Sequence, residues 1–283
     1  MKKKLFFKVL FNIVIILVEI NYKLIVILKR KTKFNIKYFF DLFKYSEIDS
    51  YKYDPQENCE IIPVLTYHKI VNDWVKKNVK YSHSSLALSR SIFKIQMKYL
   101  KKERYKTLNC TELYLWHEGK IKLPKKSVLI TFDGGSIGQE KYAMPILNKY
   151  NMKGTIFIIG TKTYNNEKGI IKYSIIPKLR KLYPFIDFES HTFDLHVHLR
   201  KDIYNKTYKD AIKQNSFFNF SFLAYPYGDF SSEMIRAYKD IGIKMAFTYG
   251  KNQYATRKQN IYSISRIKVN ANEGFSNFTR WFS

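Results

Sequence analysis

One stretch limits the possible folds more than any other: VLITFDGGSIGQEKYAMPILNKYNMKGTIFIIG, residues 128–160. Val128, Leu129 and Ile130 form a short apolar run of the kind that a sheet buries on both faces. The chain then presents Asp133 and turns through Gly134 and Gly135. A helix follows from about Gln139, with Tyr142, Ile146 and Tyr150 at four-residue spacing and Pro145 as an expected kink. Thr155 to Ile159 is a second β-branched and aromatic run, near enough to be the next parallel strand. Strand, loop, helix and parallel strand form the repeating unit of α/β folds, which place chemistry at the carboxyl ends of their strands. Asp133 occupies such an end. Taken alone, it also reads as an ordinary turn residue before two glycines.

The same alternation continues on both sides. IIPVLTYHKI (61–70) reads as an opening strand ending at Tyr67-His68, and helices are expected from about Ser91 and over Glu112–Trp116. Downstream, a loop (161–170) and a helical region (Ile175 to Leu182) lead to a strand at Phe185–Glu189 that delivers SHTFDLHVH. A polar helix fits 201–215, and FSFLAYPYG (220–228) is strand then loop. Ser231 caps a helix stopped by Gly242, and strands at Ile243–Thr248 and Tyr262–Val269 end the series. The expected fold class is therefore α/β, a (β/α) barrel that is incomplete or distorted, preceded by an N-terminal hydrophobic and basic helix. The expected domains are a helical segment over 1–33, a linker over 34–60 and the barrel over 61–283.

Charge bears on partners. The 283 residues carry a formal net charge of +27, but the lysines are spread along the chain, with no RNA-binding aromatic signature and no zinc-finger spacing. Nucleic acid is therefore not the expected partner; anionic lipid or a cell-surface polymer suits the charge better. Cys59 and Cys110 are far apart and form neither a disulfide framework nor a CxxC metal motif. The segment LFFKVLFNIVIILV (5–18), flanked by MKKK and by KRKTK (29–33), is interrupted by Glu19, Asn21 and Lys23 and shows no small-residue cleavage site. It is expected to associate with a membrane, as an anchor or as an interfacial helix; a soluble helix packed on the domain is the alternative. Localisation is expected at a membrane or on the extracellular face of a bacterial cell.

Polar groups gather at the strand ends: His68, Asp133, His191 with His196, and Tyr225-Pro226-Tyr227-Gly228. Two imidazoles four residues apart plus a carboxylate from another strand suit zinc or a similar divalent ion. A histidine pair alone is more often structural; the set at successive strand ends carries more weight.

In their order, PVLTYH, LITFDGG, ESHTFDLH, AYPYGDFS, MAFTY and ISRIKV make the region 61–270 resemble the polysaccharide deacetylase family with the NodB-homology domain. The nearest branch is that of the poly-N-acetylglucosamine deacetylases of bacterial exopolysaccharide systems. The resemblance implies a metal-dependent hydrolase, most readily with zinc, that removes N-acetyl groups from an amino-sugar polysaccharide. It implies Asp133 as general base, His191 and His196 as metal ligands, and Tyr227, following Pro226, in the segment whose backbone N–H binds the oxyanion. Thr192 resembles the hydroxyl residue supporting the loop between the histidines, and His68 belongs to the branch's YH pair near the site.

There are departures. The family pattern is TFDD, and Gly134 stands where its second Asp ligates the metal. The Arg expected before the Pro of the third motif is replaced by Ala224, with Arg266 as a stand-in, and no late histidine acid is evident in SISRIKV. The competing expectation is a catalytically impaired or inactive relative that still binds carbohydrate.

Overall fold

Side-chain alternation decides which residues of this chain look inward. A computed structural model describes residues 58–78, 81–196, 204–217, 219–249 and 254–282; the expected 1–33 helix and most of the 34–60 linker lie outside that range. Twelve strands occur among the described residues. They are β1 (Ile61–Tyr67), β2 (Lys69–Val71), β3 (Ala87–Ser89), β4 (Lys106–Leu108), β5 (Ser127–Asp133) and β6 (Gly154–Ile158). Then follow β7 (Ile186–Ser190), β8 (Phe222–Ala224), β9 (Met245–Thr248), β10 (Tyr254–Thr256), β11 (Ile264–Ser265) and β12 (Ile267–Lys268).

Parallel pairing runs β1-β5-β6-β7-β8-β9-β11, and β12 returns to β1, with Leu65 opposite Ile267. The sheet is thus a nearly closed barrel. Its one unsealed seam falls at Arg266, the residue between β11, which pairs with β9, and β12. Antiparallel β10 also lies beside β1, β4 pairs with the first half of β5, and β2 and β3 form a separate small sheet. Helices fill the crossovers. Arg90–Lys102 starts on a Ser89 cap and buries Phe93, Met97 and Leu100 on one face. Cys110–His117 starts on a capping box made by Asn109 and Glu112.

Along the strands the burial separates by parity. Leu65, Tyr67, Val128, Ile130, Phe132, Ile156, Ile158, Ile186 and Phe188 join the helices in one apolar cluster. Ile62, Val64, Leu129, Phe157, Phe222, Phe247 and Ile264 form the other. Two-residue alternation then places His68, Asp133, His191, Tyr249 and Arg266 in register with the second set, one layer beyond the apolar filling. The candidate site is the polar top layer of a barrel with a mainly apolar filling, joined to it by the hydrogen-bonded pair Thr66 and Thr131.

Local differences from expectation are small. The helix after Gly138 opens with a π-turn over Gln139–Ala143 and continues as the α-helical part Met144–Lys149, with Pro145 directly after the π-turn, where the regular hydrogen-bond ladder is already interrupted. The expected 161–170 loop includes a short helix, Gly160–Tyr164. The polar helix runs Tyr204–Phe217.

Candidate active site

Asp133 is the last residue of β5 and is 5% exposed. Arg266 clamps it in a fork, Nη1 to Oδ1 at 2.7 Å and Nη2 to Oδ2 at 2.8 Å, and the Tyr249 hydroxyl donates to Oδ2 at 3.2 Å. An ionised carboxylate offers about four acceptor directions. Three are used here, so Asp133 keeps capacity for one further donor. Burial pushes its carboxyl up, but Arg266 and His191 outweigh that and hold it well below the usual carboxylate range. Arg266 is itself buried and lies over the Tyr249 and Phe157 rings, 4.9 and 5.6 Å from their centroids.

His191 follows β7 and faces this pair, its Nε2 4.0 Å from Asp133 Oδ2. Its Nδ1 lies 2.8 Å from the Ala224 carbonyl, which can only accept, so Nδ1 carries the proton and Nε2 presents its lone pair to the site. Burial lowers the pKa of His191 to about 4, and the ring is neutral near pH 7. His196 stands edge-on to it, ring centroids 5.2 Å apart, with the Tyr227 hydroxyl 3.4 Å from His196 Nδ1. Tyr227 is half-exposed after Pro226, in a left-handed conformation with φ 59°. His68 follows β1, with a buried Nδ1 that has no hydrogen-bond partner among the described residues. Burial lowers its pKa, against the pull of Asp133.

Gly134 has φ +90°, a backbone state that side-chain-bearing residues rarely adopt, and its N–H continues the ladder to the Phe157 carbonyl at 2.8 Å. The donor set for a divalent ion is therefore two imidazoles, with Asp133 nearby but engaged by Arg266. No group of three or more His, Cys, Asp or Glu arranged to hold a metal occurs among the described residues. Neutral, buried imidazole with a fixed tautomer fits a cation such as zinc; the missing carboxylate makes the fit incomplete.

Several participants were not legible in the motifs. Gln139, fully buried, donates through Nε2 to the carbonyls of both His68 (2.6 Å) and Asp133 (2.8 Å), tying two strand ends together. Tyr249 lies two residues beyond Phe247 on the inward-facing parity, which is the signal that could have found it. Thr192 is buried with φ 64°, and its hydroxyl has no partner among the described residues. The loop between the histidines is held by other groups.

Comparison with known proteins bears on the family and the fold. A polysaccharide deacetylase family model matches residues 120–246. The poly-beta-1,6-N-acetyl-D-glucosamine N-deacetylase of Staphylococcus aureus is 30% identical over 243 residues, covering 77% of this chain and 81% of that protein. The chain belongs to the polysaccharide deacetylase family. A putative polysaccharide deacetylase of Bacillus subtilis is 29% identical, over 74% of this chain and 71% of its own. Among solved structures, the Streptococcus pyogenes deacetylase PplD superposes with a TM-score of 0.69 at 22% identity, covering 79% of this chain and 98% of its own. IcaB from Ammonifex degensii gives 0.64 at 22% identity, covering 75% and 93%. Both share the barrel fold.

Proposed function

We propose that this polysaccharide deacetylase removes N-acetyl groups from a polymer of N-acetylglucosamine type at the outer face of a bacterial cell, where residues 1–33 attach it to the membrane surface. The observation that carries the reading is the pairing of Asp133 Oδ2 with His191 Nε2 at 4.0 Å, each fixed from behind, by Arg266 and by the Ala224 carbonyl. Among the described residues, no helix is long and apolar enough to cross a membrane; the attachment rests on the basic and apolar N-terminal sequence itself.

Asp133 accepts the proton of the attacking water through its remaining acceptor position, with Arg266 and Tyr249 fixing the carboxylate plane. His191 and His196 are the residues that would hold a divalent ion, whose chemistry is Lewis-acid polarisation of the acetamide carbonyl. Tyr227 borders the same space, its backbone N–H being the candidate donor to the oxyanion. His68, with an unpartnered ring nitrogen, is the candidate proton carrier toward the departing amine.

One observation favours a second reading. Gly134 supplies no carboxylate, and the Arg266 fork occupies most of the acceptor capacity of Asp133, so slow turnover with retained glycan binding is the alternative. Acetate release from N-acetylglucosamine oligomers separates the two, compared among the natural chain, Asp133→Asn and His191→Ala. Release that both substitutions abolish supports the enzyme. Oligomer binding with no release above either variant supports the binder.

A further inference from the structure

The helix Tyr204–Phe217 buries an unusual stripe. Thr207, Asp210, Ala211 and Gln214, at spacings of three, four and seven residues, all point inward, and three of them are polar. Inward polar groups cost stability unless they meet partners. Asp210 meets two backbone N–H groups of the loop between the histidines: Oδ2 accepts from Phe193 at 2.8 Å, and Oδ1 from Asp194 at 2.5 Å.

The opposite edge of that loop is fixed as well. The carbonyls of Thr192 and Phe193 accept from the N–H groups of Gly160 (3.0 Å) and Thr161 (2.8 Å), the first residues of the short helix after β6. A Cβ on Gly160 would lie 2.3 Å from Gln214 Oε1 and 2.4 Å from Phe193 Cδ2, so the loop, the strand end and the polar helix meet with no spare room. Between these clamps Thr192 is held at φ 64°, an unfavourable state for a β-branched residue. Its own hydroxyl does not hold it there.

From this geometry we infer that Asp210 is a positioning residue: its carboxylate, anchored on a helix outside the catalytic layer, holds the Thr192 turn and thereby sets His196 against His191. The divalent-ion part of this rests on the proposed reading of the two histidines as ligands; the loop geometry does not. The side chain touches neither histidine and acts only through the backbone between them. Asp210→Asn keeps the size but leaves one acceptor oxygen for two N–H groups. It should raise deuterium exchange of the Phe193 or Asp194 amide at least tenfold, while Lys209→Ala, on the exposed side of the helix, changes nothing.

Two further measurements separate positioning from mere packing. Zinc titrated calorimetrically into the folded full chain should bind Asp210→Asn roughly 10- to 100-fold more weakly than the natural chain. The imidazole nitrogen resonances of His196, recorded without metal, should shift in Asp210→Asn as the ring leaves Tyr227. If the natural chain binds no zinc, the ligand reading fails and the resonance shift alone decides. Unchanged His196 resonances overturn the proposal in either case, as does faster amide exchange with unchanged zinc affinity. Should Asp210→Asn not fold, Asp210→Glu, which keeps the charge but displaces the oxygens from the Phe193 and Asp194 amides, takes its place with the same three readouts.

Discussion

Restoring a carboxylate at Gly134 sets two opposed effects against each other, and the structure gives the size of both. A Cβ built there meets nothing nearer than Ile159 Cδ1 at 4.0 Å, so Gly134→Ala causes no clash and the first side-chain atom of Gly134→Asp has room. The cost is the backbone state alone: at φ +90° a residue with a Cβ loses about 1–2 kcal/mol relative to glycine. In a barrel of this size that lowers Tm by roughly 2–8 °C for either variant without metal. Zinc should act more strongly on Gly134→Asp than on Gly134→Ala, which keeps only the two imidazoles. If the carboxylate introduced by Gly134→Asp completes the set begun by His191 and His196, zinc at about a hundred times its Kd returns roughly 2.7 kcal/mol. Gly134→Asp then regains or exceeds the natural Tm, while Gly134→Ala stays low. The assay is a thermal melt of the three proteins, with chelator and with a zinc series, alongside acetate release. A zinc-induced shift as large in the natural protein as in Gly134→Asp would show that the ligand set is already complete. An unchanged Tm for Gly134→Ala in chelator would refute the backbone argument.

Other outcomes follow from the same geometry. Arg266→Met leaves Asp133 buried without its partner and should cost about 3–5 kcal/mol in urea unfolding at pH 7. That loss should shrink as the pH falls and Asp133 takes up a proton. His191 has its pKa lowered to about 4, below the ordinary 6.5, so the unfolded chain binds the extra proton first. Its contribution is fully present above pH 6.5 and is lost as the pH falls through 4, a swing of roughly 3 kcal/mol at about 1.4 kcal/mol per unit. His191→Gln should flatten that part of the stability–pH curve. Asp133→Asn should reduce acetate release by at least about a hundredfold, the usual scale for losing a general base, with little change in oligomer affinity. Deleting residues 1–33 should release the protein from membrane fractions while the near-ultraviolet circular dichroism of the barrel persists.

The barrel was legible because its signals are redundant. Each buried strand is a short apolar run followed by a turn residue, and parity then carries His68, Asp133 and His191 to one layer. Arg266 was legible only as a substitute, since nothing local reveals that the last strand breaks at that residue and changes neighbours there. Gln139 was legible only as a helix start and as a side chain able to reach toward the Gly134 position, and Asp210 was not singled out. Both act on backbone carbonyls or amides of residues distant in sequence, and such partners leave no trace in spacing or composition. The sign that could have exposed Asp210 was a helix whose inward stripe is polar. The π-turn was equally hidden, because a four-residue apolar spacing does not distinguish a regular helix from one with an inserted residue.

The break at Arg266 has a consequence for synthesis. Asp133 emerges from the ribosome long before residues 264–268, and until they arrive β1 and β9 both lack their last neighbour. During that interval the carboxylate has no guanidinium to meet, so sealing the upper layer around it would strand a charge in an apolar enclosure. A nascent barrel is therefore expected to stay open on one side until its final strand docks. That strand joins the two free edges and brings the counter-charge in the same event. Docking of the last strand and pairing of Asp133 with Arg266 thus coincide, and a chain cut short before Ile264 should expose both edges and leave Asp133 without its partner.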